Sequence, residues 1–371
     1  MNVIRLSFFA CAIVLQAGAA DWAMHRGDPQ LRGRADMAAP EKPDALWTFK
    51  APKPIKAGAA IANGKVFVGD DSGLVHALEL ATGKELWTFK TEGSIEATPL
   101  VLEGVIYLGS SDGRVYAIDA ASGKEKWRYE TPDKVLGSVN YAKNPEGTGT
   151  WLVFGSYDMF LHVVDAATGK LVFTIETENY INGTPAISPD GEVVFGGCDA
   201  YVRIVSLKER KEVRKSESEA YIAGSVALDG GMGYVGNYGN QVLGVSIKDG
   251  AVKWRYRDRS FPYFSSPALT PKHAIIGGRD KRLHCIDRET GAGVWTFQTR
   301  GQVDSSPVLC GDAIVVGSED GRLYCVNMGD GKERWAYEAG APITASPAAS
   351  RGVIVVGAED GTVHALGKLV N

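Results

Sequence analysis

The stretch Gly104 to Glu130, GVIYLGSSDGRVYAIDAASGKEKWRYE, constrains the fold most, because its pattern recurs down the chain to the C-terminus. Within it, two short apolar runs, Val105 to Leu108 and Val115 to Ile118, flank a Ser-Ser-Asp-Gly turn. Apolar runs of that length on either side of an Asp-Gly turn read as a β-hairpin. A second turn at Ser122-Gly123 leads into a strand that carries Trp127. Aligned on the glycine that closes the first run, the copies place Gly69, Gly109, Gly155, Gly196, Gly236, Gly277, Gly317 and Gly357, spaced 40, 46, 41, 40, 41, 40 and 40 residues apart. A period of about forty with four short strands per copy means a β-propeller, here with eight blades.

The tryptophan position repeats as Trp47, Trp87, Trp127, Phe173, Arg214, Trp254, Trp295 and Trp335, and so begins one copy early. The last copy, Ser346 to Asn371, stops before a Trp strand of its own, while Ala45 to Lys50, ALWTFK, is left over at the other end. Pairing that N-terminal strand with the last blade closes the ring and leaves no open end. The fold class expected is therefore all-β: an eight-bladed β-propeller of four-stranded antiparallel blades over 45–371. It follows a signal peptide over 1–20 and an extended lead-in over 21–44.

The leader reading rests on Arg5, the apolar run Leu6 to Leu15, and the small residues Ala17-Gly18-Ala19-Ala20 ahead of Asp21. The run is too short to remain as a membrane span. Cys11 lies in its middle, not after small residues at its end as a lipoprotein signal needs, so the expectation is a soluble exported protein, periplasmic or secreted. The formal charge of −4, or −5 without Arg5, comes with no clustered basic surface and argues against a nucleic-acid partner. Of the remaining cysteines, Cys198, Cys285, Cys310 and Cys325, two occupy one strand position in neighbouring blades. There Cys285 and Cys325 stand where other copies carry Ala77, Ala117, Gly244 and Ala365, and they read as small buried thiols.

Along the chain, the lead-in contains Arg26-Gly27-Asp28, a three-residue match to an adhesion signal too short to carry weight. Blade 3 is lengthened by a loop around Asn144 to Gly149 between its first two strands. Blade 4 breaks the pattern: Lys208 to Lys215, KERKEVRK, replaces the glycine turn and the ring. A charge run on an outermost strand guards against edge-to-edge pairing. The functional alternative is a rim docking site for an acidic partner.

Few residues suggest chemistry. His76, His162, His284 and His364 share one repeat position, filled by Tyr116 and Tyr324 in other copies. Equivalent positions lie around a ring on different blades, so these imidazoles should not converge on a metal, and no metal site is expected. The Asp-Gly pairs at 112, 320 and 360 lack the alternating oxygen ligands of a calcium loop, and Thr82-Gly83-Lys84 lacks the Ser or Thr and the helix of a phosphate-binding loop. No catalytic signature is present.

The repeat text Tyr116 to Trp127, YAIDAASGKEKW, together with Ser266-Pro267, Ser306-Pro307 and Ser346-Pro347, resembles the pyrroloquinoline-quinone-type (PQQ-like) propeller repeat over all eight blades. Trp22 to Asp28 also looks like the opening of many exported members. The resemblance implies that Trp47, Trp87, Trp127, Trp254, Trp295 and Trp335 dock between blades and lock the ring. It implies two functional branches. Quinoprotein dehydrogenases are much longer, carry a vicinal Cys-Cys pair and bind calcium through Glu, Asn and Asp; the non-catalytic branch is typified by the BamB-like outer-membrane assembly scaffold. With no adjacent cysteines and little room for insertions, the chain is closer to the scaffold. The expectation is a non-catalytic exported propeller binding protein partners, membrane-associated ones included, with no cofactor. The alternatives are a small PQQ-dependent oxidoreductase with calcium, and a propeller that binds sugars or small ligands.

In a four-stranded blade, the loop entering the innermost strand and the loop joining the middle strands lie on the same face. Two residues before each Ser-Pro-type position stand Lys56, Glu96, Leu136, Asn182, Ala223, Phe264, Asp304 and Thr344, and the middle turns add Tyr157, Cys198, Tyr238 and Arg279. Aromatics gather in blades 3 to 6 as Tyr157, Tyr180, Tyr221, Tyr238, Tyr263 and Phe264. Exposed rings beside an Arg anchor protein partners. The predicted partner-binding mouth is thus Lys56, Glu96, Tyr157, Tyr180, Asn182, Tyr221, Tyr238, Tyr263, Phe264, Arg279 and Asp304.

Overall fold

The computed structural model describes residues 21–370, so the leader expected over 1–20, with Cys11, lies outside the described residues. What it describes is built of strands and turns, in eight sheets of four antiparallel strands, one of them extended by the short parallel strand Arg34–Ala35. In chain order the innermost strands are Ala60–Ala62, Leu100–Leu102, Asn140–Lys143, Ala186–Ile187, Ala227–Asp229, Ala268–Leu269, Val308–Cys310 and Ala348–Ser350, which number the blades 1 to 8. As the sequence requires, blade 8 is completed by Ala45–Lys50, which pairs antiparallel with Thr362–Gly367 through Trp47 opposite Ala365 and Lys50 opposite Thr362.

The two middle strands of each blade are buried on both faces, because every sheet packs against a neighbour on either side. Val353–Gly357 is buried along its whole length. Strands covered on both faces read as continuous apolar runs. The outer strands instead alternate, as in Glu125–Glu130. In all eight blades the pairing of third and outer strands bulges at the tryptophan position. A bulge re-aims the side chain beside it.

The repeated glycines have a packing cause. A Cβ on Gly69, Gly109, Gly155, Gly196, Gly236, Gly277, Gly317 or Gly357 would fall within 2.6 Å of a side chain from the loop entering the next blade. Those side chains are Ile95, Val135, Ile181, Ile222, Tyr263, Val303, Ile343 and, across the ring closure, Ile55. The tryptophans add a second contact. Trp47, Trp87, Trp127, Trp254 and Trp295 lie against the turn glycines Gly83, Gly123, Gly169, Gly291 and Gly331 of the following blade. Four of their indoles donate Nε1–H to a carbonyl of that blade, at Leu80, Ala166, Arg288 and Met328. Trp335 donates instead to Pro40 of the lead-in.

The lead-in enters the central channel. Its carbonyls accept the innermost-strand amides of Ile61, Val101, Ile187, Leu228, Leu269 and Leu309 from Trp22, Ala23, Pro29, Gln30, Arg32 and Gly33, at 2.7–2.9 Å. An empty channel would leave those strand edges unpaired, a costly state for buried amides. Arg34–Ala35 then runs parallel to Val308–Cys310 on the way out to blade 8. Arg26 is sealed inside, donating Nη2 to the carbonyls of Pro267 and Pro307. Burial lowers its guanidinium to about 9 against the pull of Asp28. The Arg-Gly-Asp triplet is therefore not displayed. All four cysteines among the described residues are free, with Cys285, Cys310 and Cys325 buried and their thiols raised to about 12 by that burial.

Deleting residues 21–50 removes both the outer strand of blade 8 and the channel carbonyls, and is expected to lower the melting temperature sharply. Trp47→Ala alone should cost about 3–5 kcal/mol in a denaturant titration, the range for emptying a buried aromatic site. Unchanged transitions would contradict closure by this strand.

Candidate functional site

In every blade the middle turn and the entering loop are tied by one backbone hydrogen bond. The amides of Asp71, Ser111, Tyr157, Cys198, Tyr238, Arg279, Glu319 and Glu359 donate to Pro54, Ser94, Lys134, Tyr180, Tyr221, Pro262, Gln302 and Pro342 at 2.8–3.1 Å. Further amide bonds from each entering loop to the turn of the preceding blade, such as Ile95 to Asp70 and Val135 to Ser110, join the sixteen loops into one rim. Below it a girdle of hydroxyls runs from blade to blade: the amides of Thr98, Ser138, Thr184, Ser225, Ser266 and Ser306 each donate to the hydroxyl of the next member, ending at Ser346. The girdle is interrupted at Gly58, where a Cβ would lie 2.6 Å from Thr98 Oγ1. His25 of the lead-in sits beside that gap, with Nδ1 3.4 Å from Thr98 Oγ1.

Rim and girdle enclose a funnel of about 170 Å³ lined by Lys56, Glu96, Leu136, Asn182, Ala223 and Phe264, with His25 at its floor. Burial, reinforced by Arg26 beside it, lowers the imidazole to about 3.

The predicted mouth residues fall into three groups. Lys56 pairs with Asp71 at 2.8 Å, which raises the ammonium, and Glu96 adds to that field. Tyr157 and Tyr180 stack parallel with centroids 4.8 Å apart, and burial pushes the Tyr157 phenol up to about 12. Next to them Asn182 donates Nδ2 to Cys198 Sγ at 3.0 Å. The third group is a continuous chain across blades 5 to 7. Tyr221 meets Tyr238 edge-on at 6.3 Å, Tyr238 meets Phe264 at 4.3 Å, and the Arg279 guanidinium lies 3.9 Å over Phe264. Arg279 is fixed from below by a forked pair to Asp304, at 3.0 Å from Nε and 2.6 Å from Nη2, which raises it further. Tyr180, Tyr221 and Tyr238 are 41%, 52% and 46% exposed.

Tyr263 departs from the expectation. It is 2% exposed and packs on His284 and Tyr256 between blades 5 and 6. It occupies the position held by Ile55, Ile95, Val135, Ile181, Ile222, Val303 and Ile343, the knob over the preceding glycine, so it belongs to the ring and not to the mouth. That alignment was available in the sequence. The exposed ring in the same loop is Phe261, 47% exposed, which the pattern did not single out.

The histidines at the shared repeat position link each blade to the one before it. His162, His284 and His364 each meet a tyrosine hydroxyl with Nδ1 at 3.1 Å, from Tyr129, Tyr256 and Tyr337. His162 and His284 also contact Asp158 and Asp280 through Nε2. Asp258, Asp280 and His284 bring three ligand-type atoms within 4.8 Å of one another. The recurrence of the Asp–His–Tyr arrangement at 158, 162 and 129 assigns the core of that group to packing. A quinone cofactor of the PQQ type, a fused tricycle with three carboxylates, does not fit the channel. The funnel is small, the lead-in blocks the space beneath it, and of a Glu, Asn and Asp calcium set only Glu96 and Asn182 line it.

Comparison with known proteins adds the following. The family model described as outer membrane protein assembly factor BamB matches residues 32–172, 142–279 and 279–369. No protein of curated function matches in sequence. Among solved structures, the computationally designed Ika8 protein is similar at TM-score 0.76 and 16% identity, over 88% of this chain and 100% of that one. BamB from Moraxella catarrhalis is similar at TM-score 0.73 and 16% identity, over 88% and 100%. Quinohemoprotein alcohol dehydrogenase from Comamonas testosteroni is similar at TM-score 0.79 and 12% identity, over 94% and 80%. At these identities the three likenesses show the fold alone.

The depressed His25 gives a signed pH dependence. A free imidazole titrates near about 6.5, so between that value and about 3 the unfolded chain binds a proton that the folded chain refuses. Stability is complete above that window and drains away as pH falls through it. His364, also lowered by burial, adds to the effect. Melting temperatures measured from about pH 7 down to about pH 4 should fall for the wild type and fall less for His25→Gln; parallel curves would contradict a neutral His25.

Proposed function

This chain belongs to the family of the outer membrane protein assembly factor BamB, and from that membership we propose that it is a non-catalytic scaffold that docks a protein partner on the rim of its channel. The observation that carries the reading is the chain Tyr221, Tyr238, Phe264, Arg279 and Asp304, in which exposed rings are held rigid by contacts among themselves. Aromatic and Arg anchors that need no reordering are what interface hot spots use. The stacked Tyr157 and Tyr180 extend the same surface over blades 3 and 4. The leader-like residues 1–20 support export, and the family description supports a place in outer-membrane protein assembly in the periplasm. The filled channel supports a binding role over an oxidoreductase one.

Crosslinking in the native periplasm, with partners identified by mass spectrometry, supplies the ligand for the test. Tyr238→Ala combined with Arg279→Ala should then weaken partner binding by more than about tenfold, as hot-spot truncation does, with the melting temperature nearly unchanged. Equal loss of binding and stability would assign these residues to structure. Tight binding of PQQ with calcium and dye-linked alcohol or sugar oxidation would overturn the scaffold reading.

A further inference from the structure

The opposite face carries a second site, created where the repeat loses its ring. Seven of the eight positions on the outer strands are aromatic: Trp47, Trp87, Trp127, Phe173, Trp254, Trp295 and Trp335. Blade 4 has Arg214. At the turn glycines that face an indole, a Cβ would meet the ring at 2.6–2.8 Å; at Gly250, which follows Arg214, the nearest side-chain atoms are Ser216 Oγ at 3.5 Å and Arg214 Cβ at 3.6 Å. Arg214 turns instead to the carboxylate of Glu192, and its Nε is buried without a partner. The groove left between blades 4 and 5 measures about 640 Å³, against about 480 Å³ between blades 5 and 6 and about 370 Å³ between blades 1 and 2, where Trp254 and Trp87 are in place.

The walls of this groove suit a ring. Leu228 and Ile247, 1% and 7% exposed, form its apolar floor, and Gly230 and Gly231 a flat edge. Ile247 stands at the repeat position of Leu80, Ala166, Arg288 and Met328, whose carbonyls accept an indole N–H in the other slots. The rim suits a carboxylate. Lys208 and Lys248 border the groove, are exposed, and form no ion pair among the described residues. Of the three carboxylates that line the groove, Asp229 is engaged by Arg288 at 2.7 Å and by Arg34 at 3.4 Å and Glu192 by Arg214, which leaves Asp190 alone to offset the two lysines.

We infer that this groove is a docking slot for a tryptophan side chain on an acidic segment of a partner protein, received where the ring's own tryptophan is missing. The indole takes the place that Trp254 or Trp295 fills in its own slot, and the flanking carboxylates meet Lys208 and Lys248. The slot lies on the face away from the Tyr238 and Arg279 rim, so it can be engaged independently of it.

The probe is a fluorescein-labelled, capped pentapeptide of one tryptophan flanked on each side by two acidic residues, followed by anisotropy at low salt. It should bind the wild-type protein saturably. Replacing its tryptophan by alanine should weaken binding by at least about tenfold, the scale of losing an anchor residue. Lys208→Glu with Lys248→Glu should weaken it by a similar factor and remove most of its salt dependence. Arg214→Trp fills the slot from within, so it should abolish binding while raising the melting temperature. No binding to the wild type, equal binding of the alanine peptide, or undiminished binding to a folded Arg214→Trp would each overturn the assignment. Because Lys208 and Lys248 are exposed, their variant tests the site even if Arg214→Trp does not fold. Tyr238→Ala with Arg279→Ala should leave peptide binding unchanged, which separates failure of this site from failure of the rim.

Discussion

Every blade of this protein offers a glycine to the next, and every entering loop fills that glycine with a bulky side chain. The contact fixes the distance between sheets, because a Cβ at any of the eight glycines would collide with the knob above it. Close packing of this kind tolerates little change in volume. It also has to be satisfied at the seam, where Ile55 reaches Gly357 and Ala45–Lys50 supplies the outer strand of blade 8. The tryptophan contacts reinforce the same spacing further out, and their bulged pairing aims each ring at the neighbouring turn.

A closed ring creates the problem that the lead-in solves. Eight short innermost strands turn their unpaired edges toward one narrow channel, and six of their amides are met by carbonyls from Trp22 to Gly33. With that segment in place, the channel holds Arg26 and His25 and keeps only a shallow funnel open. Under the scaffold we propose, recognition is left to the two faces. On both, the proposed sites lie where a copy departs from its siblings: the extra rings of blades 3 to 6 at the rim, and Arg214 in place of an indole below. Departures from local consistency are where functional sites are expected in a repeat.

The sequence carried the strands, the blade count, the seam and the tryptophan positions, because each rests on side-chain types recurring at a fixed spacing. It carried less where backbone does the bonding. The lead-in has no period, since its carbonyls and not its side chains pair with Val101, Ile187 and Leu228, so an extended segment could be read but not its course through the channel. Tyr263 was misread as a mouth residue because its ring type drew attention away from its register with Ile222 and Val303, which marks it as a knob. The groove beside Arg214 was legible only as a charge run. Its depth follows from what surrounds a missing ring, which a single strand of text does not show.

Amide hydrogen exchange resolved to single residues tests the sealed ring most directly. The amides of Val101, Ile187, Leu228, Leu269 and Leu309 lie on strand edges that only the lead-in covers. They should exchange as slowly as the central strands, through global unfolding alone. Fast exchange at these five amides, at the rate of the exposed rim loops, with the middle strands still protected, would contradict a channel closed by the lead-in and return it to the list of places where a ligand can bind.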